Sequence, residues 1–278
     1  MAKQNKPSLG TTIRQNSSGV LAALMCIVIG LVIGLIALFI INPEHALVDG
    51  FWRILQGGFY DFPYGCGKVL TQTAPLIMTG LSVAFAFKTG LFNIGAAGQY
   101  TLGAFGALYF AIVLGMPWWV CLLLAMAAGA VLGTVSGILK SYCNVNEVIS
   151  GIMLNWITLY AMNDLLTNVK EAASPYTMHI ESVSQQSIIP TLGLDTLFSN
   201  NQYVTIAIPI SIIIAILVYI VMEKTKFGYE LKATGFNKNA AKYCGMAEKR
   251  NIILSLGISG ALAGLGAAML YLTGYEQW

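Results

Sequence analysis

From Thr89 to Leu139 the chain runs 51 residues without an Asp, Glu, Lys, Arg or His. Two membrane crossings of roughly 20 apolar residues each account for such a run, and a single element of a water-soluble core does not. Further charge-free runs occupy 20–41, 69–87, 148–163, 196–222 and 251–275. A charged side chain at mid-bilayer costs about 2.5–3.5 kcal/mol on insertion scales, so such runs mark what lipid tolerates. Charged residues are 10% of the chain and hydrophobic ones 56%, whereas soluble domains carry about 25% charge. The pattern is that of an all-α polytopic membrane protein.

Seven spans are expected, at 20–41, 69–87, 91–114, 118–139, 148–166, 203–222 and 252–272. The first follows a short basic tail at 1–19 and is 22 residues long. A signal-peptide core runs only about 7–15 residues and ends in a small-residue cleavage site. None is evident after Ile41, where Asn42-Pro43 reads as a turn, so 20–278 is taken as one transmembrane domain. With the N-terminus inside, Lys3, Lys6, Arg14, Lys88, Lys140 and the basic segment 223–251 are cytoplasmic, and only Arg53, Lys68 and Lys170 face outward. That asymmetry follows the positive-inside rule. The seventh crossing then leaves the C-terminus outside.

Composition also excludes some functions. A net charge of +3 and the lack of a dense basic and aromatic stretch exclude nucleic acid as a partner. Cys26, Cys66, Cys121, Cys143 and Cys244 form no CxxC pair and read as small hydrophobes. No metal site is expected. The segments 42–68, with Trp52, Phe59, Tyr60 and Tyr64, and 167–202, with Pro175 and Pro190, are external. Each is either a connection or a docking surface, and the first suits an interfacial helix with an aromatic belt. Glycines four apart at Gly30/Gly34, Gly129/Gly133/Gly137 and Gly260/Gly264 suit close helix packing in lipid.

Two segments carry more than packing. In 88–99, Gly90, Gly95 and Gly98 accompany polar Asn93 and Gln99, an arrangement that weakens a lipid-facing helix. Irregular backbone at membrane depth is tolerated where protein buries it or a watery cavity receives it. The segment therefore reads either as a broken helix lining a passage or as a Gly-rich turn near the cytoplasmic surface. In 227–246, Asn237 suits a helix N-cap, 238–244 gives two turns and Gly245 suits the C′ position. Ala240, Ala241 and Cys244 then form a smooth face fit for a groove on a partner, or the helix is simply a solvated one.

The order of FNIGAAGQ, NEVISGIMLNWI and FGYELKATGFNKNAAKYCGM resembles the permease subunits of bacterial ATP-binding-cassette importers. The branch it is most similar to serves ribose-like sugars, branched-chain amino acids and, especially, nucleosides. NAAKYCG, at 239–245, looks like the Glu-Ala-Ala-x-x-x-Gly coupling loop, with Asn239 in place of the acid, and ISGALAGLGAA, at 258–268, looks like the helix after it. The resemblance covers roughly 69–271. Two departures stand out. Ala97 occupies a position that often holds Glu in the family, and relatives continue for further helices beyond the final stretch, so this chain is expected to be C-terminally short.

The resemblance implies one half of a transmembrane pathway that carries an uncharged solute, a nucleoside or alternatively a simple sugar. Its implied partners are a second permease subunit, an external or periplasmic solute-binding protein and a cytoplasmic ATPase, with lipid around the bundle. No GxxxxGK[ST] loop is present, and Gly65-Cys-Gly-Lys68 lacks its spacing. The chain is therefore expected to be no enzyme and to hold no cofactor, ATP being used by the partner. Gly235, Asn239, Ala240, Ala241 and Gly245 are the expected coupling residues. Phe92, Asn93, Gln99, Asn155 and Trp156 are the expected path residues, because amides pair with hydroxyls or base edges and aromatics offer flat faces. A secondary transporter usually keeps an acid within the bundle, and none lies well inside a span. A channel would leave the coupling loop unexplained. An intramembrane enzyme finds no HExxH or GxSxG, with His45 and His179 in loops. An accessory, non-transporting subunit stays open.

Overall fold

The computed structural model describes the backbone of residues 9–278 and the side chains of 19–278. Lys3, Lys6 and the Arg14 side chain of the expected N-terminal tail fall outside those residues. All regular elements described are helical, and the one β-type pairing is an isolated bridge between Lys170 and Thr177. The chain divides after Tyr60 into two compact units.

The first unit holds α1 (Leu9–Ile41), whose apolar stretch Gly19–Ile41 is nowhere buried. A Cβ at Gly30 or Gly34 meets nothing within 4 Å, so these glycines serve no helix contact in this unit. A π-helical turn (Ala46–Phe51) runs into the short α2 (Trp52–Gln56), where Asp49 accepts from Arg53 at 3.3 Å. Trp52, Leu55 and Phe59 stay exposed.

The second unit contains α3 (Tyr64–Lys88), α4 (Ala96–Ile112), α5 (Trp118–Tyr142), α6 (Glu147–Leu166), the short α7 (Ile180–Val183), α8 (Ala207–Lys224), α9 (Lys226–Phe236), α10 (Lys238–Tyr243) and α11 (Glu248–Tyr271). At its centre stands α11, with 78% of its apolar window buried against α3, α4 and α5. Small residues make that possible. A Cβ at Gly129 would lie 2.2 Å from the Gly260 carbonyl oxygen, one at Gly133 2.2 Å from the Leu256 oxygen, and one at Gly137 2.7 Å from Ile253 Cα. The descending pairs make α5 and α11 antiparallel. On another side a Cβ at Gly103 would meet Gly264 Cα at 2.3 Å, holding α4 against α11. The expected glycine packing thus applies at α5 and α11.

Seven spans are expected, and fewer helices meet the length and apolarity of a crossing by themselves. Among the described residues, five helices are by length and composition long and apolar enough to span a membrane: α1, α3, α5, α8 and α11. The expected span 91–114 is shortened because residues 91–95 are not helical, leaving α4 with 17 residues. At 1.5 Å per residue that is about 25 Å, at the lower limit of a crossing helix. Yet α3 and α5 both run antiparallel to α11, so α4 returns between them. The span 148–166 forms α6, with 20 residues, but Asn155, Asn163 and Asp164 lower its hydropathy.

The long connection from α6 to α8 is packed rather than loose. Ile180 and Ile189 are buried, and the Ile189 amide donates to the Leu272 carbonyl at 3.0 Å. The Trp278 indole donates to Asn163 Oδ1 at 2.7 Å, tying the chain beyond α11 to α6.

Candidate functional site

The Gly-rich segment proves to be an irregular connection between α3 and α4, rather than a break within one helix. Leu91 and Asn93 point inward, 3% and 6% exposed, so protein buries this backbone as the membrane requires. Its glycines answer to close neighbours. A Cβ at Gly98 would stand 2.8 Å from Asn155 Oδ1, and one on Gly151 of α6 2.8 Å from the Gly95 amide nitrogen. Helix α6 therefore lies directly against the first turn of α4.

Asn155 fastens that contact. Its Oδ1 accepts from the Gly98 amide at 2.7 Å, and its Nδ2 donates to the Ile94 carbonyl at 2.9 Å. The first amides of a helix have no partner within the helix, so a side chain from α6 completes the start of α4. Beside this staple lies a cavity of about 420 Å³, lined by Ala97, Gly98, Thr101, Ile152, Asn155, Trp156 and Leu159. The Trp156 ring stacks on Tyr160 at 5.8 Å and 22°. The pair stays 55% and 66% exposed, presenting aromatic surface beside the cavity. Tyr160 also borders a second cavity of about 480 Å³ with Asn163, Asp164, Tyr176 and Trp278. One face of α6 thus leads from the start of α4 toward the far end of the bundle.

The other expected path residues lie elsewhere. Gln99 is fully buried, and Asn93 nearly so. Asn93 Nδ2 donates to Gln99 Oε1 at 2.8 Å and to Ser259 Oγ at 2.7 Å, and Gln99 Nε2 returns a bond to Asn93 Oδ1 at 3.3 Å. Their amides face each other and α11, not the cavity, because unpaired amides in a bundle interior would be costly. Phe92 is 44% exposed, with its ring edge-on to Phe87 at 5.0 Å, and does not line the cavity either. Thr101 and Tyr160 were not among the expected residues, although the spacing of Trp156 and Tyr160, four apart on α6, offers that signal.

The polar seam continues to α9. Ser259 Oγ donates to the Ser82 carbonyl at 2.7 Å, and the Thr89 hydroxyl pairs with that of Ser255. Asn251 Nδ2 donates to Thr234 Oγ1 at 2.9 Å. At the end of α9, Gly235 touches the connection itself: its Cβ would come 2.6 Å from the Thr89 carbonyl carbon, and one at Gly90 (φ +72°) 2.8 Å from Gly235 Cα. Gly90 combines a left-handed φ with that contact, and only glycine suits both. A continuous set of contacts therefore joins α9 to the entry of α4.

Beyond α9, Asn237 caps α10 by accepting from the Ala240 amide at 3.1 Å, and Gly245 follows in the left-handed conformation at φ +77°. Both features match their expected roles. The smooth face is different. Ala241 is 3% exposed and points inward, while Asn239, Ala240 and Cys244 are exposed. The exposed prominences are Phe236 and Tyr243, at 91% and 92%.

A family model described as branched-chain amino acid transport system / permease component matches residues 66–278. Among similar proteins, the guanosine ABC transporter permease protein NupP of Bacillus subtilis is 37% identical over 264 residues, covering 93% of this chain and 74% of its own. The nucleoside ABC transporter permease protein NupB of Lactococcus lactis is 34% identical over 270 residues, covering 93% and 72%. The glucose ABC transporter permease protein TsgB13 of Haloferax volcanii is 29% identical over 254 residues, covering 87% and 65%. No solved structure matches.

Proposed function

Because the chain belongs to the branched-chain amino acid transport system / permease component family, we propose that it forms part of the pathway of an ATP-driven importer whose solute is a nucleoside. The observation that carries the solute is the stacked Trp156–Tyr160 pair beside the 420 Å³ cavity. That volume falls within the roughly 300–1,000 Å³ of small-molecule sites. A nucleobase lies flat on an aromatic face, and the Thr101 hydroxyl with the second N–H of the Asn155 amide serves its polar edge or the ribose. No acid or base lines this cavity, which suits an uncharged solute and disfavours proton or sodium coupling. The names of the relatives at 37% and 34% identity point the same way.

The membrane is the cell membrane, with the N-terminus, the α5–α6 connection and 223–251 on the cytoplasmic side. There Phe236, Tyr243, Asn239 and Ala240 meet a separate ATPase, which hydrolyses ATP while this chain holds no cofactor. Gly235 and the Thr89–Ser255 and Asn93–Ser259 contacts pass the movement to the start of α4. A second permease subunit covers the open face of α6, and an external binding protein delivers the solute. Such coupling works only if the ATPase binds the two states of this relay unequally.

The direct test is uptake of radiolabelled guanosine by cells expressing the chain with its partner subunits, challenged with unlabelled nucleosides, ribose or glucose. Competition by nucleosides alone, and at least a tenfold loss of uptake in Trp156→Ala, is the expected result. Equal competition by the free sugars would overturn the nucleoside reading in favour of a sugar permease.

A further inference from the structure

A cavity of about 340 Å³ opens where the last turn of α5, helix α10 and the first turn of α11 meet. Lys140, Lys238, Lys242 and Lys249 all line it, and Glu248 is the one acid among its lining residues. Lys140 is held by Glu147 at 2.5 Å. Among the described residues, no carboxylate lies within ion-pair distance of Lys238, Lys242 or Lys249. The Lys249 ammonium sits 4.6 Å from the centre of the Tyr142 ring. Ser141 lines the same cavity, and its enclosed hydroxyl has no hydrogen-bond partner among the described residues. Like charges are gathered in one concavity, with a spare donor beside them and too few acids to balance them.

We infer that this cavity binds a phosphate group, carried by an anionic phospholipid headgroup or by a soluble phosphate ester. Phosphate suits it because several ammonium groups can each take one of its oxygens, and the Ser141 hydroxyl adds a neutral donor. An uncharged solute would leave the lysines facing each other. The depth suits a headgroup too, since α5 and α11 are membrane-spanning candidates and the cavity lies at their ends. Basic pockets at that level between helices are where lipid phosphates are held. Phe236 and Tyr243 do not line the cavity, so occupancy leaves those prominences free. The inference does not depend on which solute is carried.

The test is thermal unfolding of the full chain in a mild neutral detergent at fixed ionic strength. The added probes are dioleoylphosphatidylglycerol, dioleoylphosphatidylcholine or glycerol 3-phosphate. Two variants, Lys242→Gln/Lys249→Gln and Lys238→Gln/Lys242→Gln, replace exposed side chains and are first required to melt like the wild type without a probe. Phosphatidylglycerol is expected to raise the wild-type midpoint by several degrees more than phosphatidylcholine does, with at least half of that gain lost in both variants. A gain from phosphatidylglycerol alone identifies the headgroup as the source. An equal, lysine-dependent gain from glycerol 3-phosphate identifies a soluble ester. Equal gains in wild type and both variants, or no gain from phosphatidylglycerol or glycerol 3-phosphate beyond that from zwitterionic phosphatidylcholine, would overturn the site.

Discussion

A methyl group added at Gly129 would sit 2.2 Å from the Gly260 carbonyl oxygen, whereas one at Gly34 would meet nothing within 4 Å. The first contact is backbone against backbone, so no side-chain rotation relieves it and α5 must move off α11. Overpacking of this kind costs about 1–3 kcal/mol, and Gly129→Ala is expected to lower the detergent melting midpoint by several degrees. Gly34→Ala should leave that midpoint unchanged in the isolated chain, and equal midpoints for both variants would deny the close approach. Asn155 works through polarity instead. Asn155→Ala removes the partners of the Gly98 amide and the Ile94 carbonyl together. An unpaired buried polar group costs about 1–3 kcal/mol, less where water can reach it. Both melting midpoint and uptake should fall in this variant. Trp156→Ala, by contrast, truncates an exposed ring and should lower uptake with little change in melting.

Helix α9 reaches the entry of α4 through Gly235, and this contact separates transmission from assembly. Gly235→Ala places a methyl 2.6 Å from the Thr89 carbonyl carbon and should force α9 and the 89–95 connection apart. In the assembled importer the expected outcome is ATPase activity within twofold of wild type and uptake reduced at least tenfold. Phe236→Ala and Tyr243→Ala truncate exposed rings and should instead reduce co-purification of the ATPase without shifting the melting midpoint. Were Gly235→Ala to transport normally, the relay would not run through this contact. The cap of α10 was legible in the chain because Asn237 and Gly245 act within their own few residues. The inward turn of Ala241 was not, since burial depends on neighbouring elements that residue type alone does not reveal. Asn93 and Gln99 show the same limit. Their polarity marks the segment as unusual, yet the same amides serve a solute or each other, and only the position of Ser259 on α11 decides between them. The start of the 91–114 span is misplaced for a related reason: hydropathy extends through Leu91 and Phe92, while the helix starts only at Ala96.

At the scale of the whole molecule, charge asymmetry and helix direction can be set against each other. Lys140 near the end of α5 and the basic segment between α8 and α11 lie at the same end of the second unit, because α5 and α11 are antiparallel and a single cavity touches both. The opposite end carries the connection from α6 to α8, with Leu197 exposed. Positive-inside orientation then assigns the lysine-rich end to the cytoplasm. Cys244 is exposed at that end. In a variant retaining Cys244 alone, a membrane-impermeant maleimide should label nothing in intact cells and should label fully after permeabilisation. A Leu197→Cys variant lacking the native cysteines should be labelled in intact cells. The reverse pattern would invert the molecule, placing Phe236 and Tyr243 outside, away from any ATPase. Labelling of both positions in intact cells would mean the two ends share one side, which α6 and α8 could satisfy only by failing to cross. The orientation therefore ties the distribution of lysines to the direction in which the bundle can be driven, and one pair of cysteines tests both.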